Sequence, residues 1–86
     1  MADPGVARRV EDPAATMRRI EDEYAKDARK VEHVDGVSIE FDDWRFNLRA
    51  SNTEPLLRLN VESRGDAELM RRKTEELLAR IGGEPE

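Results

Sequence analysis

Apolar and polar side chains alternate in the segment Trp44-Arg45-Phe46-Asn47-Leu48-Arg49. The same period of two runs through Val37-Ser38-Ile39-Glu40-Phe41 before this segment and through Leu57-Arg58-Leu59-Asn60-Val61-Glu62 after it. Because successive side chains of a β-strand point to opposite faces of a sheet, this pattern predicts three strands with one buried face each. Asp35-Gly36 is typical of a tight hairpin turn, so residues 30–34 are predicted to pair as a fourth strand.

Segments with helical spacing flank these strands. Asp12-Pro13 marks a helix start, since aspartate caps free backbone N–H groups and proline fits the first helical position. This helix is predicted to end between residues 26 and 29, and a second helix to run from Asp66 to Gly82-Gly83. The positions that form one buried stripe are Met17, Ile20 and Tyr24 in the first helix and Met70, Thr74, Leu77, Leu78 and Ile81 in the second.

The order of these elements specifies an α+β fold. We expect a two-layer sandwich in which both helices pack on one face of a four-stranded antiparallel sheet, with residues 6–10 available as an extra short edge strand. The domain is predicted to cover residues 6–83, between a disordered end or cloning remnant at residues 1–5 and a disordered tail at residues 84–86. The side chains expected in the core are Met17, Ile20, Tyr24, Ile39, Phe41, Trp44, Phe46, Leu48, Leu57, Leu59, Val61, Leu77 and Ile81.

Composition excludes several classes of protein. Of the 86 residues, 37% are hydrophobic and 41% are charged, which leaves a thin core for a single small domain. The chain has no cysteine and one histidine, so disulfides, thiolate chemistry and a structural zinc site are excluded. A net charge of −5 and the lack of a long apolar run predict a soluble, cytoplasmic protein with neither a nucleic-acid nor a membrane partner.

A polar loop between the last two strands is the candidate binding site. Arg49-Ala50-Ser51-Asn52-Thr53 offers a guanidinium, two hydroxyls, a carboxamide and backbone N–H groups within five residues. The surrounding residues 44–59 carry three arginines against one glutamate, although the whole chain is acidic. Phosphate requires several convergent donors, and arginine binds two of its oxygens at once. On composition alone, the interpretation of these residues as turn formers beside a solvated surface cation is favoured over a phosphate site.

Other candidate residues have more ordinary interpretations. His33 has no neighbouring nucleophile, so it is interpreted as a partly exposed histidine rather than an acid–base group. The acidic runs at residues 21–23 and 42–43 point in different directions or fill a tight turn, so no metal site is predicted. Trp44 alternates with the other apolar residues of its strand, which favours a place in the core over stacking on a sugar.

A family resemblance is carried by Asp35-Gly36-Val37, by residues 44–55 with their run Arg49-Ala50-Ser51-Asn52-Thr53-Glu54-Pro55, and by residues 57–62. Together these motifs resemble the C-terminal domain of the bacterial phosphomannomutase/phosphoglucomutase branch of the α-D-phosphohexomutases. The resemblance extends from about residue 6 to residue 81, and it implies a fold similar to that of the TATA-binding protein.

The resemblance also implies a role for the loop. In the family, the loop contacts the phosphate of the sugar that is not being transferred. Here the implied contacts are Arg49, Ser51, Asn52 and Thr53, with Glu54 and Pro55 shaping the loop. Arg58 lies on the strand face opposite Leu57 and Leu59, so it either supports the loop or is simply solvated.

The family's enzymes have four domains, and this chain is similar to the fourth. The implied activity is an isomerase reaction that interconverts hexose 1- and 6-phosphates, with a glucose or mannose phosphate and the other three domains as partners. The phosphoserine loop, the magnesium-binding aspartates and the sugar-selecting loop belong to those other domains. We therefore expect no catalytic residue, no metal ligand and no cofactor in this domain, Mg²⁺ elsewhere in the parent enzyme, and no activity of the isolated chain. The alternative is a non-enzymatic interaction module that presents its arginine loop to an acidic partner.

Overall fold

A computed structural model describes residues 6–34, 36–51 and 53–85. The order of its elements confirms the predicted α+β class. Residues 1–5 and Glu86, for which disorder was predicted, lie outside the described residues, as do Asp35 and Asn52. The elements are β1 (Val6–Arg9), α1 (Pro13–Tyr24), β2 (Lys30–Glu32), β3 (Val37–Glu40), β4 (Trp44–Ala50), β5 (Leu56–Ser63), α2 (Ala67–Ile81) and β6 (Glu84–Pro85).

One antiparallel sheet contains all of these strands, in the order β2-β3-β4-β5-β1-β6. The register sets Ile39 of β3 opposite Phe46 of β4, and Phe46 opposite Val61 of β5. Directly opposed residues project from the same face, so these three apolar side chains form one row across the middle of the sheet. The four predicted strands are confirmed, including the hairpin that joins β2 to β3.

The structure corrects the prediction for both ends of the domain. β1 is not an edge strand, because it pairs with β5 on one side and with β6 on the other. The disordered tail predicted for residues 84–86 is wrong for Glu84 and Pro85, which form β6. Gly83 has a φ of +72°, and a Cβ at that residue would lie 2.2 Å from the Arg9 carbonyl oxygen. Only glycine therefore lets the chain turn back against β1 immediately after the second helix.

The helix boundaries follow the predicted capping residues. The Asp12 carboxylate accepts a hydrogen bond from the Ala15 N–H at 3.1 Å, and the Asp66 carboxylate accepts one from the Leu69 N–H at 2.9 Å. α1 ends at Tyr24, slightly earlier than predicted, and continues as a 3-10 turn over Ala25–Asp27. Within the described part of the chain, neither helix is long and apolar enough to cross a membrane.

Both helices pack on one face of the sheet and leave its other face free of helices. Most of the predicted core is buried, whereas Met17, Phe41 and Trp44 are only half-buried at its margin. Two further residues, Val10 and Val37, complete the main cluster. The buried apolar side chains of that cluster are Val10, Ile20, Tyr24, Val37, Ile39, Phe46, Leu48, Leu57, Leu59, Val61, Leu77 and Ile81.

An aromatic cluster closes the end of the sheet at which β4 begins. The Tyr24 ring packs edge-on against Phe46, with ring centroids 5.3 Å apart, and Trp44 stacks on Phe41 at 4.5 Å. The Tyr24 hydroxyl donates a 2.7 Å hydrogen bond to Glu76 Oε1, which links α1 to α2. Trp44 therefore belongs to the margin of the core, as its alternation predicted, and lies at the opposite end of β4 from the candidate loop.

The Tyr24–Glu76 hydrogen bond makes stability depend on pH. It lowers the pKa of Glu76 below its ordinary value of 4.5, with a further contribution from Lys73. Because the folded-state pKa is the lower one, the carboxylate stabilises the fold fully above about pH 4.5 and loses this effect as the pH falls through the folded-state pKa. In the Glu76→Gln variant, the free energy of unfolding should therefore decrease less steeply as the pH is lowered.

Urea unfolding between neutral pH and pH 3 measures this effect. The matched control is Glu75→Gln, which removes the neighbouring exposed carboxylate on the same helix. An acid dependence that is equally steep in the wild-type chain and in both variants would contradict the prediction.

Candidate functional site

Two arginines lie side by side where β4 and β5 pair. The register places Arg49 of β4 directly opposite Arg58 of β5. Both project from the helix-free face, because their neighbours Leu48 and Leu57 belong to the core on the other face. Directly opposed residues have Cβ atoms about 4.5 to 5.5 Å apart, and like charges in such pairs are destabilising. An anion bound next to both guanidinium groups would be attracted by both positive charges.

A third arginine, Arg9, joins the same face from β1. The β1–β5 register sets Arg9 opposite Leu56, which makes it the diagonal neighbour of Arg58 at a typical distance of about 7 to 8 Å. Arg9 was not among the residues predicted for the site. The alternation of a short strand predicts its faces but not the strand with which it pairs, so no signal in the sequence connected Arg9 to the loop.

Arg45 does not belong to this group, although the sequence counted it among the local positive charges. Its Nε and Nη2 atoms donate to the two carboxylate oxygens of Glu62, each at 3.2 Å. The Glu62 carboxylate also raises the pKa of Arg45. Arg45 is four residues from Arg49 along β4, or about 13 Å. Arg45 is therefore paired with Glu62 at one end of the helix-free face. At the other end of that face, Arg9, Arg49 and Arg58 are neighbours.

The β4–β5 loop, residues 51–55, is organised by the Ser51 hydroxyl. Ser51 Oγ accepts hydrogen bonds from the Thr53 and Glu54 N–H groups, both at 3.3 Å. The Ser51 N–H in turn donates to the Leu56 carbonyl at 3.0 Å. In these bonds the Ser51 oxygen already acts as an acceptor. The Ser51 and Thr53 N–H groups, two of the backbone donors that were predicted to be available for an anion, are also engaged. The Ser51 hydroxyl hydrogen is a further donor, and the exposed Thr53 hydroxyl lies 3.5 Å from Ser51 Oγ.

The end of the loop is held by backbone bonds on both sides of Pro55. The Leu56 N–H donates to the Glu54 carbonyl at 2.8 Å and closes a tight turn around the proline. The Pro55 carbonyl accepts a 2.9 Å hydrogen bond from the Val10 N–H, just beyond β1. Asn52, the remaining predicted phosphate contact, lies outside the described residues.

The other polar candidates form ordinary surface pairs. His33 Nε2 lies 3.0 Å from the Glu21 carboxylate. Arg80 donates to Glu23 at 3.0 Å, and Arg29 lies 3.4 Å from Asp42. In residues 6–34, 36–51 and 53–85, no three histidine, aspartate or glutamate side chains are grouped so that they could hold a metal ion.

The sequence model of the family described as Phosphoglucomutase/phosphomannomutase, C-terminal domain, matches residues 6–79. The chain belongs to this family. The match includes both strands that carry the opposed arginines and the loop between them, and it confirms the resemblance that the sequence motifs indicated.

Curated relatives of the mutase C-terminal domain agree with this assignment. A Phosphomannomutase of Salmonella montevideo is 56% identical over 70 residues, which are 81% of this chain and 15% of that protein. A protein of Xanthomonas campestris pv. campestris named Phosphohexose mutases is 49% identical over 69 residues, which are 80% of this chain and 15% of that protein. The chain thus spans about 15% of the length of the curated relatives that it matches.

A solved structure shows the same fold. The crystal structure of a Phosphoglucomutase/phosphomannomutase family protein from Burkholderia thailandensis matches with a TM-score of 0.67. The match covers 94% of this chain and 18% of that chain, at 23% sequence identity. This similarity supports the architecture of a two-layer domain with both helices on one face of an antiparallel sheet.

Proposed function

We propose that this mutase C-terminal domain binds the phosphate of a hexose phosphate that is not being transferred, as part of a phosphomannomutase/phosphoglucomutase. One observation carries the proposal. Arg49 and Arg58 are directly opposed on the helix-free face, and the β4–β5 loop with its hydroxyl groups begins two residues after Arg49. The chain as a whole has a net charge of −5, so this concentration of positive charge is local.

Each residue of the site has a defined role in this proposal. Arg49 supplies the planar fork that matches two phosphate oxygens, and Ser51, Asn52 and Thr53 supply hydroxyl and amide donors to the remaining oxygens. Arg58 supports the site by adding positive charge beside Arg49. Glu54 acts through the backbone, because its carbonyl accepts the bond that closes the turn around Pro55.

Holding the spectator phosphate has a catalytic consequence in the parent enzyme. A sugar fixed by one phosphate presents the opposite end to the reacting group, so phosphoryl transfer becomes effectively intramolecular. The same contacts hold the sugar bisphosphate in either orientation, which the interconversion of 1- and 6-phosphates requires. In this proposal, the other three domains supply the phosphoserine and Mg²⁺, so the isolated chain is inactive. The full enzyme works in the cytoplasm on a glucose or mannose phosphate.

Titration of the isotopically labelled chain with inorganic phosphate tests the binding role. We expect clustered chemical-shift changes at residues 49–53 and Arg58, with a Kd of roughly 1 mM or weaker, equivalent to about −4 kcal/mol, because the parent enzyme's other substrate contacts are missing. Added salt should weaken binding further, since the attraction is between charges at an exposed site.

Arg45→Ala is the matched control, since it removes an arginine from the same strand and face but leaves the site intact. It should respond to phosphate as the wild-type chain does. No response of the wild-type chain, or shifts centred on Arg45, would refute the proposed site. A response to an acidic peptide but not to phosphate would support the interaction module instead.

A further inference from the structure

Gly36 lies against the strand that carries Arg49. A Cβ at Gly36 would lie 2.2 Å from the Leu48 carbonyl oxygen and 3.1 Å from the Arg49 Cα. Real Cβ atoms do not approach a backbone oxygen so closely, because the repulsion is prohibitive. A side chain at this residue therefore has to push the two backbones apart.

The chain that follows Gly36 is held against β4. Val37, the next residue, is paired with Leu48 in the β3–β4 register. The Asn47 side chain reaches across the same strand pair and donates to the Val37 carbonyl at 3.3 Å and to Ser38 Oγ at 3.0 Å. Because these bonds fasten β3 to β4 beside the contact, we expect the separation that a Cβ at Gly36 requires to displace the end of β4 as well.

We propose that Gly36 is a positioning residue for the anion site, an inference that rests on the proposed function. Because Gly36 has no side chain, the hairpin packs directly against Leu48 and Arg49. This contact fixes the position of the backbone from which the Arg49 side chain extends. Two-oxygen binding by an arginine requires an aligned fork, so displacement of the Arg49 backbone weakens its contact with a phosphate. The glycine acts on the ligand only through Arg49.

A second glycine, Gly65, makes it possible to distinguish the effect of the close contact at Gly36 from the effect of a positive φ. Gly36 has a φ of +96° and Gly65 a φ of +71°, so alanine is disfavoured at both residues by conformation. A Cβ at Gly65, however, would have no atom within 4 Å. Gly65 lies between β5 and α2, away from the β4–β5 loop. Gly36→Ala and Gly65→Ala therefore share the conformational penalty and differ in the contact with Leu48 and Arg49.

The test compares the wild-type chain, Gly36→Ala and Gly65→Ala at a temperature at which thermal unfolding shows all three to be folded. Without phosphate, the amide resonances of Leu48 and Arg49 should move in Gly36→Ala and stay in place in Gly65→Ala. With inorganic phosphate, Gly36→Ala should lose affinity by about 10- to 100-fold, the effect of losing a hydrogen bond to a charged group, while Gly65→Ala should bind like the wild-type chain. A purely structural role for Gly36 would lower stability and leave phosphate affinity unchanged.

Two results would overturn the inference: unmoved Leu48 and Arg49 resonances in Gly36→Ala, or wild-type phosphate affinity in that variant. If the wild-type chain itself does not respond to phosphate, the proposed function fails, and the phosphate-free spectra alone decide whether Gly36 positions Arg49. If Gly36→Ala does not fold, D-alanine in place of Gly36, introduced by chemical synthesis, accepts the positive φ and directs its methyl group away from the Leu48 carbonyl. That chain should fold and bind phosphate, and its failure to do either would contradict the inference.

Discussion

Replacement of Phe46 by alanine should lower the free energy of unfolding by about 3 to 5 kcal/mol. Phe46 is 2% exposed, lies in the middle of β4, and is flanked by Ile39 and Val61 on the neighbouring strands. The helices cover it, since Tyr24 of α1 packs edge-on against its ring. A domain of 86 residues buries a small core, so its total stability lies near the low end of the range of about 5 to 15 kcal/mol found for native proteins, and the substitution should remove most of it.

Phe41→Ala is the matched control for this prediction. It removes the same side chain from a half-buried position at the margin of the core, so it leaves a smaller cavity and should have a clearly smaller effect. Urea unfolding followed by circular dichroism measures both variants. A cooperative transition that Phe46→Ala leaves almost unchanged would show that the core is not centred on β4.

Replacement of Arg49 by alanine should separate function from stability. Arg49 is exposed on the helix-free face and opposes a like charge at Arg58, so its loss should change the free energy of unfolding by no more than about 1 kcal/mol. Under the proposed function, loss of a charge-assisted contact to phosphate should reduce affinity for the transition state by about 2 to 4 kcal/mol. This corresponds to roughly a 30- to 1000-fold lower kcat/KM in the full enzyme.

A full-length phosphomannomutase whose C-terminal domain is replaced by this chain provides the kinetic measurement, with the unsubstituted chimaera as reference. Arg49→Lys should recover only part of the loss, because an ammonium group keeps the charge without the planar fork. Arg45→Ala should leave kcat/KM near the reference value, since Arg45 pairs with Glu62 away from the loop. Near-normal kcat/KM of Arg49→Ala, combined with unfolding of the substituted chain, would make Arg49 a structural residue.

Local patterns in the sequence were sufficient to predict both helices, the strands β2 to β5 and the composition of the β4–β5 loop. Alternation with a period of two identified β3, β4 and β5, and capping aspartates located both helices, because these signals act between residues close in the chain. The concentration of donors between Arg49 and Thr53 was likewise readable, since all of these residues are consecutive. The same consecutive residues also indicated the family to which the chain belongs.

The way in which these elements pair and pack was not predictable from such local patterns. Periodicity does not specify register or strand order, which depend on contacts between residues far apart in the chain. The opposition of Arg49 and Arg58, the pairing of Arg45 with Glu62, and the position of β1 all follow from such contacts. The close approach of Gly36 to β4 is of the same kind, because a glycine in a turn signals a backbone conformation but not the strand against which it packs.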